Sequence, residues 1–205
     1  MAPVKISVEG AEPQSASLVV VLLHGAGAPA LDFLAISQEF PAGDDLCWLA
    51  PQALGRRWYP RPTPESRAHQ QPHLTVSAKS VLGLLQEHSS QRLVLMGFAD
   101  GAGVVAELLT DPELPSSVVA AWIASGGLVG LEEEWPEAPH LKSLPVLVSG
   151  GRDLADGVGD RQAETARYLE RAGARVTRYL YDGSELGINA EEIAQAQNLL
   201  KEVRR

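Results

Sequence analysis

Six short apolar runs punctuate this chain, at residues 18–23, 46–50, 93–96, 119–124, 145–149 and 176–181, and segments of helical period separate them. A run of strand length that is apolar throughout is covered on both faces, which is the pattern of a parallel sheet between two layers of helices. The alternation therefore predicts an α/β fold with a mostly parallel sheet of six or seven strands. The seventh is a weak, antiparallel edge strand near residues 5–8.

The intervening segments agree with that reading. Leu74, Ala78, Val81, Leu82 and Leu85 fall on one face of a helix, with Gln86 and Glu87 outside the stripe. Asn189 stands three positions before Glu192, the spacing of a helix-capping pair, and Ile193, Ala196, Leu200 and Val203 continue as the buried stripe of a closing helix. Between residues 56 and 72 the composition turns to Arg, Pro, Gln and Ser without a period, which reads as a long ordered loop over the strand ends. With 205 residues and 45% hydrophobic content, the chain suits one domain spanning 1–205. Its 26 acids against 17 Lys and Arg give a net charge of −9, an acidic protein without the footprint of nucleic-acid or anionic-membrane binding. The single cysteine, Cys47, has no internal disulfide partner, and the amino terminus lacks a leader pattern, so a cytoplasmic location is expected.

Chemistry concentrates where apolar runs end. The strand Leu93-Val94-Leu95-Met96 enters Gly97-Phe98-Ala99-Asp100-Gly101 and then a helix rich in Ala and Val, the frame of a G-x-S-x-G nucleophile elbow with Ala99 in the serine's place. Further motifs follow strand ends: Leu22-Leu23-His24-Gly25-Ala26-Gly27, Ala50-Pro51-Gln52-Ala53, Trp58-Tyr59-Pro60, Ser125-Gly126-Gly127-Leu128-Val129-Gly130, Gly151-Arg152-Asp153, and Tyr181-Asp182-Gly183 ahead of Ile188-Asn189. In this order, over nearly the whole chain, they resemble the bacterial carboxylesterase/phospholipase family of the α/β-hydrolase fold, which includes the acyl-protein thioesterases. The resemblance implies a compact α/β-hydrolase without a separate lid domain, needing no cofactor or metal. It places oxyanion-binding N–H groups at Ala26 and Asp100, cleft residues at Trp58, Tyr59 and Leu128, and a triad acid at Asp153. It also makes His24 structural; read from the residues alone, His24 is either a packed residue bonded to its own loop or a proton-transfer group. Trp58 and Tyr59 are either loop anchors or walls of an acyl pocket.

Ester hydrolysis by a triad needs a hydroxyl to attack, an imidazole to carry its proton and a carboxylate to orient the imidazole. The first position is Ala99. The family's base follows Tyr-x-Gly, and that spacing from Tyr181 and Gly183 lands on Leu186; a shifted loop would put Ser184 there instead. Neither is a base. Asp153 is then a vestigial triad acid, expected to satisfy its charge with water, main-chain N–H groups or an arginine. Loss of the serine or histidine of such a triad costs a factor of about 10⁶ in turnover.

Other groups offer weaker substitutes. Asp100 is one position past the apex and reads most simply as a helix cap, though some α/β-hydrolases attack with aspartate. His69, His73, His88 and His140 are the remaining imidazoles, of which His69 and His73 lie in or beside the long loop. The run Glu132-Glu133-Glu134 reads as a solvated face. No residue cluster has metal-ligand spacing, and Gly25 with Gly27 falls short of a phosphate-binding fingerprint. The expected function is therefore a non-hydrolytic protein whose cleft, made apolar by Ala99 and Leu186, holds a small acyl or aromatic ligand or docks a partner, with a homodimer or partner protein as its company. The alternative is a weak ester or thioester hydrolase using a displaced group.

Overall fold

A computed structural model describes residues 5–41, 43–60, 66–137, 141–154 and 157–204. Seven strands form one sheet: β1 (Ile6–Gly10), β2 (Leu18–Leu23), β3 (Leu46–Pro51), β4 (Arg92–Phe98), β5 (Val118–Ala124), β6 (Pro145–Gly151) and β7 (Arg175–Tyr181), in the order β1-β3-β2-β4-β5-β6-β7. Only β1 runs antiparallel, against β3; every other pairing is parallel. All six apolar runs are strands, and the weak amino-terminal signal is the antiparallel edge.

Side-chain alternation divides the core in two. Val19, Val21 and Leu23 of β2 and Leu93 and Leu95 of β4 point to one face, where α2 (His73–Glu87), α3 (Asp100–Leu109) and α4 (Val158–Arg171) cover them. Leu18, Val20 and Leu22, with Val94 and Met96, point to the other, under α1 (Ala30–Leu34) and α5 (Ala190–Val203). Because both faces are covered, β2 is buried at all six positions. Each fully buried Leu or Val contributes about 1.5–3 kcal/mol relative to leaving it in water.

The closing helix starts as its spacing predicts. Asn189 Oδ1 accepts the Glu192 N–H at 2.9 Å, and Glu192 Oε2 accepts the Asn189 N–H at 3.0 Å, a reciprocal capping box. Glu192 does more than cap. It is fully buried, and its Oε1 accepts the Ser149 hydroxyl at 2.7 Å while Ser149 Oγ accepts the Trp122 indole N–H at 2.8 Å. The buried carboxylate thereby joins the end of β6 to the start of α5.

Glu132 and Glu133 of the acidic run are exposed, as a solvated face requires, and Glu134 alone turns toward backbone amides. The run forms a short 3₁₀ turn in which Glu134 Oε2 accepts the N–H groups of Leu131 and Arg67, at 2.7 and 3.0 Å. Arg67 in turn grips Glu107 of α3 through its two terminal guanidinium nitrogens, Nη1 and Nη2, so the segment after β5, the loop entering α2 and the elbow helix meet at one point. Residues 61–65 of the long loop lie outside the described residues.

Asn189→Ala removes the acceptor for the Glu192 N–H and should lower stability by about 1 kcal/mol, read from urea unfolding at pH 7.

Candidate functional site

The carboxyl ends of β2, β4 and β5 converge on Ala99. This residue follows β4 with φ 50° and ψ −113°, the conformation of the first central residue of a type II′ turn, where glycine is the favoured occupant. A Cβ at that φ costs about 1–3 kcal/mol and persists only where the surroundings enforce it. Two crossings do so. A Cβ placed on Gly101 would lie 2.0 Å from the Leu23 carbonyl oxygen, so α3 passes in backbone contact with the end of β2. A Cβ on Gly126 would lie 2.5 Å from the Ala99 carbonyl oxygen, so the chain leaving β5 is pressed against the apex. The Ala99 N–H donates to the Ala124 carbonyl at 2.9 Å. The geometry is that of a nucleophile elbow, with a partly exposed methyl group at its tip.

Beneath it His24 is buried and fully committed. The Ala53 N–H donates to Nε2 at 3.1 Å, and the Gln52 side-chain nitrogen lies 2.9 Å from the same atom. Nε2 is therefore an acceptor, which leaves the proton on Nδ1 to be donated to the Gly25 carbonyl at 2.7 Å. Burial holds its pKa below the ordinary histidine value; the Gly25 bond works the other way, and the charge of Arg56 adds to the lowering. A neutral imidazole with both nitrogens engaged is a structural residue. Gln52 completes the hub by accepting the Ala30 N–H through Oε1 at 2.9 Å, which fixes the start of α1.

The two expected oxyanion donors are placed differently. Ala26 is exposed in the turn after β2, and its N–H has no acceptor among the described residues. Asp100 opens α3, where a first-turn N–H has no carbonyl one turn back to accept it. Its side chain is the more informative part. Oδ2 is buried without a hydrogen-bond partner, and burial pushes the carboxyl up to about 6 against the opposing pull of Arg57. Tyr59 is held well above the ordinary phenol value, by burial first and by Asp100 second.

Trp58 and Tyr59, open between loop anchors and pocket walls, take the first role. Trp58 and Tyr59 are each 3% exposed and Leu128 is fully covered, all within the core on the α2, α3 and α4 face. Trp58 donates its indole N–H to the His24 carbonyl at 2.8 Å and packs its ring 5.1 Å from the imidazole. These residues anchor the loops under the site.

Asp153 and Leu186 sit on the β6–β7 side. Asp153 is exposed, and its Oδ2 accepts the Gly183 N–H at 3.0 Å while its own N–H donates to the Gly183 carbonyl at 3.1 Å. The carboxylate thus ties down the loop that carries Leu186. Leu186 itself is 62% exposed, so it adds no apolar wall. His73 starts α2 and His88 ends it; His140 lies outside the described residues. Sequence reasoning missed Gln52, Glu134, the Arg67–Glu107 pair and the inner bond of Glu192, each of which meets its partner only through the fold. The one legible signal among them was the capping spacing of Glu192.

Neither a family model nor a curated protein matches the sequence. Solved structures do. A phospholipase/carboxylesterase from Dyadobacter fermentans superposes with a TM-score of 0.84 and 25% identity over 97% of each chain. The Bacillus cereus carboxylesterase gives 0.77 and 20% over 98% of this chain and 95% of that one. The chain has the α/β-hydrolase fold. It resembles the carboxylesterase/phospholipase group, and a third similar structure, YahD with malic acid, gives 0.76 and 14% over 98% of this chain and 99% of that one. Among the described residues no helix is long and apolar enough to cross a membrane, and no group of three or more His, Cys, Asp or Glu is arranged to hold a metal ion.

Ala99→Gly relieves the left-handed strain and should raise stability by about 1 kcal/mol after the entropy of the added glycine is counted, whereas Gly101→Ala should lower it by about 3 kcal/mol or more; urea unfolding measures both. Asp100 has a folded pKa above its unfolded value, so its contribution is most favourable below about pH 4 and is lost as pH rises through about 6. Asp100→Asn should therefore stabilise the protein by about 1 kcal/mol at pH 8, after allowance for solvent screening, and by little at pH 4.

Proposed function

We propose that this protein is a non-hydrolytic member of the carboxylesterase/phospholipase group, a single-domain cytoplasmic protein that binds a small acyl or carboxylic ligand beside Ala99. The reading is carried by the methyl group at the elbow apex. Acyl transfer begins with a lone pair on that atom, and a methyl has none. Three further features support it. Leu186 offers a hydrocarbon where the family carries its imidazole. Asp153, in the acid's place, serves the Gly183 amide. His24 is neutral and engaged through both nitrogens.

What persists is the electrostatic half of the machinery. The N–H of exposed Ala26 and the first-turn N–H of Asp100 at the positive end of α3 suit a carbonyl or carboxylate oxygen. The similar YahD structure was determined with malic acid, a small carboxylic acid. Residual activity from such donors alone, about 10⁶ below an intact triad, is negligible.

A serine-directed fluorophosphonate should leave the protein unlabelled, and p-nitrophenyl acetate should turn over no faster than with a heat-killed control. Ala99→Ser together with Leu186→His should gain esterase activity at least about tenfold above the unaltered chain, with neither single change doing so. Labelling and turnover by the unaltered protein would overturn the proposal.

A further inference from the structure

The sheet has two edges, and they are finished differently. On β7, Arg175 and Arg178 project from the edge strand and pair with Glu202 and Glu170, the charged finish that keeps an edge from pairing with another chain. On β1 the sequence Ile6-Ser7-Val8-Glu9-Gly10 has no proline, no bulge and no basic residue, and its register against β3 is continuous. Ile6 and Val8 stand 38% and 51% exposed.

The hydrogen-bond phase of β1 shows which groups it offers outward. The Gln52 N–H donates to the Lys5 carbonyl and the Ala11 N–H to the Leu46 carbonyl, which fixes the odd-numbered residues as the ones bonded to β3. The N–H and C=O groups of Ile6, Val8 and Gly10 therefore face away from the sheet. Side chains alternate as well. Val8 shares its face with Leu49, on the side covered by α2 farther in, while Glu9 lies on the α1 side and accepts the Ser37 hydroxyl at 2.8 Å.

We propose that β1 is the interface of a two-fold homodimer, in which it pairs antiparallel with β1 of a second copy about an axis at Ser7. That register sets Ile6 opposite Val8 twice, as the hydrogen-bonded pairs, and these are residues whose amides point outward. It sets Lys5 opposite Glu9 twice, on one face and in the closely spaced non-bonded positions where opposite charges attract best. Shifting the axis to Val8 would oppose Lys5 to Ala11 and Ser7 to Glu9, and both charge pairs would be lost. The strand is thus self-complementary in charge and in apolar surface, which is what an isologous contact requires. The interface lies at the sheet edge, apart from the elbow, and stands whether or not the crevice binds a ligand.

Sedimentation of the full chain should give a concentration-dependent mass rising from one to two 21.9-kDa chains, with half association in the micromolar range, about 1–100 μM, typical of a small contact. Val8→Pro deletes an outward N–H and leaves the bonds to β3 intact; it should weaken association at least about tenfold without loss of the far-ultraviolet spectrum. Ser7→Cys decides the register independently. At the axis two cysteines sit about 4.5 Å apart between Cα atoms, within disulfide range, and mild oxidation should convert the protein to a reducible dimer, with buried Cys47 taking no part. A chain that stays monomeric at about 100 μM, or Val8→Cys crosslinking where Ser7→Cys does not, overturns the proposal.

Discussion

A backbone crossing governs the site. α3 leaves β4 so sharply that Gly101 touches the Leu23 carbonyl and Ala99 is forced to positive φ. The crossing brings together the ends of β2, β4 and β5 and leaves the apex side chain partly exposed. The chemistry of the apex follows from it. That the strain is borne by an alanine means the packing around the turn enforces it without help from the apex side chain, since a methyl gains nothing from its exposure.

Two polar hubs hold the crossing in place. On one side the neutral His24 ties β2 to the segment after β3 through Ala53, Gln52 and Trp58. On the other, buried Glu192 joins Ser149 of β6 to the cap of α5. Each group inside these hubs is matched, as buried polar atoms must be to avoid a penalty of about 1–3 kcal/mol. Asp100 Oδ2 is the contrast: it is buried next to the apex without a partner, and its carboxyl is correspondingly hard to ionise.

Much of this was legible in the chain. The continuous apolar runs marked six strands and their parallel arrangement because burial on both faces leaves an unbroken signature, and the weak amino-terminal signal marked the antiparallel edge. The elbow was legible too, because a sharp strand-to-helix turn demands small residues at fixed spacing. Trp58 and Tyr59 stayed open between loop anchors and pocket walls, since an aromatic beside a strand end carries no mark of which way it faces; the fold buries both, with Leu128, in the core. Leu186 was read as apolar lining and stands in solvent for the same reason. The triplet at residues 132–134 looked like a solvated face until Arg67 and the 3₁₀ turn claimed Glu134.

By itself the sequence determined the layering, the strand identities, the helix cap at Asn189 and the hydrocarbon side chains at residues 99 and 186, because periodicity, capping and side-chain chemistry are local properties. Only the tertiary structure decided the tautomer of His24, the orphaned oxygen of Asp100, the inner partner of Glu192 and the outward phase of β1. These depend on distances between segments tens of residues apart, and burial, hydrogen bonding and proton affinity take their values from that approach.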